Sequence, residues 1–151
     1  MKVLLFEPDI PVNTGNIART CVAAGATLVL KRPLGFSLSD RQMKRAGLDY
    51  WEHLNLELID NLDHYLAKEL ENPGCRCYFF SSKATRSYTE ISFQKDDILI
   101  FGSETKGLPD HFFKTYPEKF YTIPMDPAAR CLNLSNCAAI ILYHALFDLG
   151  R

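Results

Sequence analysis

Short apolar runs, separated by polar segments that carry glycine or proline, recur along the chain. A run of this kind, bounded by turn residues, is typical of a strand that is covered on both faces. The pattern predicts six strands, at residues 2–6, 27–31, 54–59, 76–80, 97–101 and 120–123. Because none of them has a consistently polar face, we expect a sheet with helices packed on both sides.

Helical patterns fill the segments between these runs. Residues 11–16 are rich in turn formers, and the helix predicted after them places Ile17, Cys21 and Ala24 on one face before Gly25 ends it. Further helices are predicted after the caps Ser39 and Asp60 and across residues 109–116. Strands that alternate with helices predict an α/β fold with a mainly parallel sheet, built by one domain over residues 1–151.

The C-terminal segment predicts a helix that one sheet cannot cover. Pro124 and Pro127 keep the chain irregular after the last strand, and Ser135 and Asn136 are candidate helix caps. Residues 137–147 are apolar nearly all round. Such a helix needs cover on a second side, so we expect one side to pack on the core and another in a subunit interface.

The bulk composition fits a globular domain. The 151 residues are 47% hydrophobic and 23% charged, which is enough apolar material for a core. No apolar stretch is long enough to cross a membrane, and Glu7 comes too early for a signal peptide, so we expect a cytoplasmic protein without a membrane partner. The net charge of -1 neither indicates nor excludes a nucleic acid partner.

The five cysteines contain no CxxC pair. An odd number of cysteines without metal-ligand spacing favours reduced, mostly buried thiols over a metal or redox site. We therefore expect no bound metal.

Ligands of parallel α/β sheets bind at the carboxyl ends of the strands, which here lead into residues 13–19, 102–107 and 123–136. The second loop has the glycine spacing of a phosphate loop, but Leu108 and Pro109 stand where that loop needs lysine and a hydroxyl residue. What remains is a glycine-hinged loop that lets a flat ligand approach the backbone. Glu104 could bind that ligand or cap nearby N–H groups.

Arg19 lies early in a predicted helix, where its charge opposes the helix dipole. A phosphate or ribose partner would explain this choice. An ion pair with Glu7 or Asp9 would explain it as well.

Together these loops resemble the SPOUT superfamily of S-adenosylmethionine-dependent RNA methyltransferases. The similarity is strongest to its small tRNA wobble-position ribose 2'-O-methyltransferases, the TrmL or YibK type, and it spans essentially the whole chain. The motifs that carry it are Glu7-Pro8, Asn13-Thr14-Gly15-Asn16 with Arg19, Pro33-Leu34-Gly35-Phe36, Gly47-Leu48-Asp49-Tyr50, Phe101-Gly102 with Glu104 and Gly107, Ile123-Pro124-Met125, and Asn133-Leu134-Ser135-Asn136 with Tyr143.

The resemblance implies a C-terminal deep trefoil knot, which hydrophobic periodicity alone never predicts. It also implies a homodimer that packs through the C-terminal helix. It also implies an S-adenosylmethionine pocket in the knot, with S-adenosylhomocysteine as product. The implied cofactor residues are Phe80, Gly102, Glu104, Gly107, Ile123, Cys131, Leu132 and Ser135. Cys131 departs from the family, which commonly has serine there; it also allows a nucleophile, although methyl transfer to ribose needs no covalent enzyme intermediate.

The implied reaction is attack by a ribose 2'-hydroxyl on a sulfonium methyl group. Arg19 matches the arginine that the family places near this hydroxyl; because guanidinium keeps its proton, we expect it to stabilise the alkoxide or grip a phosphate. Tyr143 matches a family tyrosine near the dimer contact and could orient an arginine, or it could be a core aromatic.

For RNA, the expected partner is the tRNA anticodon stem-loop, and no DNA is expected. The candidate contacts are Arg41, Lys44, Arg45, Lys83, Arg86 and Arg130, although a charged face is often only solvated. Two alternatives stay open: a 2'-O-methyltransferase of ribosomal RNA or of another tRNA position, and a non-catalytic dimer that binds cofactor or RNA.

Overall fold

Within the part of the chain that the structure describes, six strands form one sheet in which all neighbours run parallel. The computed structural model describes residues 1–38 and 50–151. The strands are β1 (Lys2–Phe6), β2 (Thr27–Lys31), β3 (Leu56–Ile59), β4 (Cys77–Phe80), β5 (Ile98–Phe101) and β6 (Phe120–Tyr121). Their order across the sheet is β3-β2-β1-β5-β4-β6. The prediction of an α/β fold with a parallel sheet is confirmed.

In the described residues, four α-helices cover the two faces of this sheet. They are α1 (Pro11–Ala24), α2 (Leu62–Glu69), α3 (Asp110–Thr115) and α4 (Leu134–Asp148). Because side chains alternate along a strand, β1 sends Val3 and Leu5 into a cluster with α1 and α4. Leu4 and Phe6 point to the other face, into a cluster with α2 and α3. Helices on both faces are therefore confirmed.

The first helix begins earlier than predicted. Residues 11–16 belong to α1 rather than to a turn, so that prediction is wrong. Proline is tolerated at the first helical position because the amide it lacks would have no partner there. Asn13, Thr14 and Gly15 are buried inside the helix, so tertiary packing overrides their turn preference. Gly25 ends the helix with φ +65°, as predicted.

Two predicted helix caps lie at the wrong residue. Asn61 rather than Asp60 caps α2, by accepting from the His64 amide at 2.9 Å; Asp60 instead pairs with Arg32 at 2.7 Å. Asn133 caps α4, so Ser135 and Asn136 lie within the helix. In both cases the cap is an asparagine, one residue after the predicted cap in α2 and two residues before Ser135 in α4.

The remaining differences concern strand ends. β3 begins two residues late because a 3₁₀ turn at Trp51–His53 precedes it, and β6 stops at Tyr121. β4 and β5 each begin one residue later than predicted. The helix predicted after Ser39, with Arg41, Lys44 and Arg45, falls outside the described residues.

Helix α4 presents apolar side chains on two sides. Ala138, Ile141, Leu142 and Ala145 are buried against the sheet and α1. On the other side Ile140, Tyr143 and Phe147 are 39%, 51% and 76% exposed. No helix in the described part of the chain is long and apolar enough to cross a membrane.

Candidate active site

A cavity of about 520 Å³ lies at the carboxyl ends of β1, β4, β5 and β6. Its volume falls within the usual range of small-molecule sites. Its walls come from the start of α1 and from the loops after β4, β5 and β6. The lining residues are Ile10, Asn13, Phe80, Ser81, Ser82, Lys83, Phe101, Gly102, Ser103, Glu104, Thr105, Lys106, Gly107, Leu108, Phe113, Thr122, Ile123, Met125, Arg130, Cys131, Leu132, Asn133, Leu134, Cys137 and Ile141. The three predicted loops therefore share one cavity.

A chain of hydrogen bonds joins these loops. The Glu104 carboxylate accepts from the Asp9 amide at 2.8 Å and from the Asn13 side-chain amide at 2.9 Å. The Asn13 carbonyl oxygen then accepts from the Asn133 side-chain amide at 3.0 Å. Since a carboxylate only accepts, Asn13 must direct its NH₂ group to Glu104, and its oxygen is left for Asn133. Asn13 is only 5% exposed, so water competes little for these bonds.

These hydrogen bonds give Glu104 a structural function. Both of its oxygens bind protein groups on the segment from Asp9 to Asn13. Of the two predicted alternatives, capping N–H groups describes the structure, although Glu104 also borders the cavity. Beside it, the Thr105 hydroxyl donates to the Asp9 carboxylate and lowers its pKa.

The two glycines of this loop serve different purposes. Ser103 and Gly107 exchange backbone hydrogen bonds at 3.2 and 3.0 Å, which closes the loop tightly. A Cβ atom on Gly102 would lie 2.3 Å from the Gly107 carbonyl carbon, so a side chain does not fit there. Gly107 has φ +69°, a conformation that other residues adopt at a cost.

The lining suits an adenosyl sulfonium ligand. Phe80, Phe101, Ile123, Leu132 and Ile141 supply apolar surface, which a purine ring needs. At its two glycines, the Gly102–Gly107 loop brings backbone without side chains to the same space, where its N–H and C=O groups can form hydrogen bonds with the polar edges of an adenine ring and a ribose. The donor set is therefore compatible with S-adenosylmethionine.

Seven of the eight predicted cofactor residues line the cavity: Phe80, Gly102, Glu104, Gly107, Ile123, Cys131 and Leu132. Ser135 is outside the lining. Its hydroxyl and amide donate to Asn133 at 2.6 and 2.9 Å, which places it in the support of the loop.

Two thiols border the cavity. Cys131 is exposed and Cys137 is half-buried. Burial, and to a smaller extent the nearby Cys131 thiol, raises the pKa of Cys137 to about 11. Cys21, Cys75 and Cys77 are buried, so the prediction of mostly buried thiols holds for these three.

Arg19 lies outside the cavity of its own chain. Its guanidinium sits 4.8 Å from the centre of the Tyr50 ring, on the exposed side of α1. Neither predicted ion-pair partner contacts it among the described residues: Glu7 pairs with Lys31, and Asp9 binds Thr105. The ion-pair explanation of Arg19 is therefore wrong for this part of the chain. Tyr143 is also separate from the cavity, on the exposed face of α4.

The predicted RNA contacts divide into two kinds. Lys83 and Arg130 border the cavity, and within the described residues neither has an ion pair. Arg86 is engaged: it pairs with Glu90 at 3.2 Å and Glu118 at 3.7 Å and lies over the Tyr121 ring. Arg41, Lys44 and Arg45 are outside the described residues.

Sequence reasoning assigned no site function to Asn13 or Asn133, which link the loops. Their signals were present, because Asn13 begins the Asn13-Thr14-Gly15-Asn16 motif and Asn133 precedes an apolar helix. It also missed Lys106 and Cys137 in the lining. A side chain's neighbours across the sheet leave no mark in local sequence.

Comparison with known proteins adds a family and an activity. The SpoU rRNA Methylase family profile matches residues 1–143. The tRNA (cytidine(34)-2'-O)-methyltransferase of Methylovorus glucosotrophus is 44% identical over 95% of this chain and 92% of its own. A solved structure that concerns 2-OH methylation of C/U34 on tRNA is 40% identical, with a TM-score of 0.91 over 99% of this chain and 97% of that one.

A more distant structure supports the fold. The SpoU methyltransferase AviRb from Streptomyces viridochromogenes, in complex with AdoMet, has a TM-score of 0.86 at 24% identity, over 99% of this chain and 60% of that one. These matches give this chain the SPOUT knot fold, as predicted.

Proposed function

The chain belongs to the SpoU rRNA methylase family, and we propose that it transfers the methyl group of S-adenosylmethionine to the ribose 2'-hydroxyl of cytidine or uridine at position 34 of tRNA. The structural observation that carries this function is the hydrogen-bonded chain of Glu104, Asn13 and Asn133, which fixes three loops around one cavity. The family description names ribosomal RNA, but the relative with 44% identity is a position-34 tRNA enzyme.

The cavity residues would hold the cofactor. Bound S-adenosylmethionine supplies a methyl group on a positively charged sulfur, which makes that group reactive toward oxygen. Phe80, Ile123 and Leu132 would enclose its adenine, while the Gly102–Gly107 backbone and the main chain at Cys131 would hold its polar edges. The protein then has to align the ribose and favour loss of the hydroxyl proton.

Arg19 is the residue we assign to the second task. Guanidinium keeps its proton, so it acts by stabilising negative charge on the 2'-oxygen or on the adjoining phosphate. In one chain Arg19 does not border the cavity. A second copy of the chain would have to bring it there.

A homodimer through α4 would satisfy this requirement. The face formed by Ile140, Tyr143 and Phe147 is the largest exposed apolar feature of that helix. Helix α1, which carries Arg19, packs against α4, so an interface on α4 places α1 near the partner's surface. Tyr143 would lie in the interface, where its hydroxyl can orient an arginine.

The substrate would be the anticodon stem-loop, in the cytoplasm. Its loop is single-stranded, so the ribose at position 34 can enter a cavity. Lys83 and Arg130 at the cavity rim, together with Arg41, Lys44 and Arg45, would contact its backbone. Arg86, although paired with Glu90 and Glu118, stays a predicted RNA contact.

The experiment that tests this function measures tritium transfer from labelled S-adenosylmethionine to total tRNA, to ribosomal RNA and to a synthetic anticodon stem-loop. The expected acceptors are tRNA and the stem-loop. A stem-loop with a single 2'-deoxy nucleotide at position 34 should accept none. Transfer to ribosomal RNA alone, or unchanged transfer to the deoxy stem-loop, would contradict the proposal; cofactor binding with no transfer to any RNA would indicate a non-catalytic binder.

A further inference from the structure

A second space opens beside the cofactor cavity. It is a groove of about 460 Å³, and its walls are polar. It adjoins the cavity, because five residues line both spaces: Ser82, Thr122, Ile123, Met125 and Arg130. The other residues of the groove are Ala84, Thr85, Ser87, Pro124, Asp126, Pro127 and Ala129.

Hydrogen bonds hold the walls of this groove in place. The segments after β4 and β6 are joined by the Tyr88 amide to the Thr122 carbonyl at 2.9 Å and by the Thr122 amide to the Arg86 carbonyl at 2.8 Å. Ser87 caps the turn that follows it. One oxygen of Asp126 accepts from the Ala128 amide at 2.8 Å, which fixes the turn that carries Pro127 and Ala129. The groove is therefore preformed.

Three polar side chains of the groove remain uncommitted. Within residues 1–38 and 50–151, the Arg130 guanidinium and the hydroxyls of Ser82 and Thr85 have no hydrogen-bond partner in the protein, and Arg130 has no ion pair. This contrasts with Arg86 close by, whose charge is neutralised by Glu90 and Glu118. A free guanidinium with hydroxyl donors is a typical setting for a phosphodiester.

We propose that this groove binds a phosphate of the RNA next to the reacting ribose, with Arg130 supplying the charge and Ser82 and Thr85 supplying hydroxyl donors. The inference rests on the proposed function, because it takes the ribose to lie at the cavity. Each ribose in RNA is flanked by phosphates, so one of them must lie directly beside the cofactor. The groove adjoins the cavity along the five residues that line both spaces.

This contact would position the substrate. Phosphate contacts fix the register of a nucleic acid and carry no base information. Held at the groove, the strand presents a single 2'-oxygen to the cavity. Arg130, Ser82 and Thr85 are thus positioning residues, and their loss should impair use of RNA while cofactor affinity stays the same.

The test combines changes in the protein with changes in the RNA. Anticodon stem-loops are prepared with an uncharged methylphosphonate in place of the phosphate on the 5' or the 3' side of nucleotide 34. Kd for these RNAs and kcat/KM are measured for the wild type, for Arg130→Gln and for the double variant Ser82→Ala, Thr85→Val. Lys95→Gln, at an exposed cation at the opposite end of the sheet, is the matched control.

At one of the two positions, the methylphosphonate should lower wild-type RNA affinity about 10-fold, as should Arg130→Gln with natural RNA. Because both changes remove the same contact, combining them should cost little more than either alone. The Ser82→Ala, Thr85→Val variant should also lose RNA affinity and respond less to the methylphosphonate, but both effects should be smaller than in Arg130→Gln. Lys95→Gln should bind natural RNA normally and lose as much affinity to the methylphosphonate as the wild type.

The inference would be overturned if the methylphosphonate and Arg130→Gln acted independently at both phosphate positions, so that their fold-losses in RNA affinity multiply. It would also be overturned if Arg130→Gln lowered the affinity for S-adenosylmethionine as much as the affinity for RNA. The proposed function fails separately, if the wild type transfers no methyl group to the natural stem-loop. The binding measurements still decide on the groove in that case, since they need no turnover.

Discussion

At the scale of single residues, the cavity depends on a glycine whose missing side chain leaves room for the backbone. Gly102 leaves the space in which the loop folds back on Gly107. The sequence predicted this loop as a close approach of backbone to ligand. The structure shows that the closest approach is of backbone to backbone, a distinction that local spacing does not contain.

We expect Gly102→Ala to weaken S-adenosylmethionine binding and to destabilise the protein by about 1–3 kcal/mol, because the added Cβ overlaps the Gly107 backbone. Calorimetry and thermal unfolding measure the two effects. Gly74→Ala is the control, since the nearest atom to its Cβ would be 3.5 Å away. Normal cofactor affinity in Gly102→Ala would show that the loop adapts.

Cys131 allows a second test at this scale. It is the exposed thiol of the five, whereas burial raises the pKa of Cys137 and Cys77 to about 11 and that of Cys21 to about 12. Iodoacetamide at neutral pH should therefore modify Cys131 first, since thiolate is the reactive form. Saturating S-adenosylmethionine should slow this reaction, as followed by peptide mass spectrometry. Equal labelling with and without the cofactor would place Cys131 outside the binding site.

At the scale of elements, contacts between distant segments determine what local patterns misplace. Residues 11–16 look like a turn by composition but are helical, because Asn13 on this turn of α1 bonds to Glu104 and Asn133. The strands were predictable because each is a short apolar run between turn residues, and the C-terminal helix because its apolar run is long. Helix starts were not, since the choice between Ser135 and Asn133 depends on which one has partners in space.

Asn13 on α1 and Glu104 on the glycine loop share a hydrogen bond, so their contributions to stability should be coupled. Asn13→Ala and Glu104→Gln should each destabilise the protein by about 1–3 kcal/mol and weaken cofactor binding, because buried partners lose hydrogen bonds. The double variant should lose less than the sum of the two. Urea unfolding measures this, with the exposed Asn16→Ala on the same helix as control. Strict additivity would mean that the two side chains act independently.

At the scale of the whole molecule, the sheet and its two covered faces followed from alternating strands and helices. The knot did not, because it depends on the path of the chain rather than on any local pattern, and it entered through family resemblance. The exposed apolar face of α4 was anticipated for a physical reason: a helix without a polar side needs two surfaces to cover it.

Phe147→Glu should convert a dimer into monomers, because it places a charge at the most exposed apolar residue of α4. Sedimentation equilibrium measures the state of assembly. Lys114→Glu, a charge reversal on the exposed side of α3, should remain dimeric. A wild type that is monomeric at micromolar concentrations would refute the interface.

The central claim is that each active site combines the cavity of one copy with Arg19 of the other. The most direct measurement uses a heterodimer of an Arg19→Ala chain and a Gly102→Val chain, purified through two different tags and assayed for methyl transfer to the anticodon stem-loop. Each homodimer should be inactive, while the heterodimer has one complete site and should show about half of the wild-type activity. An inactive heterodimer would mean that Arg19 serves the cavity of its own chain, and the account would be wrong.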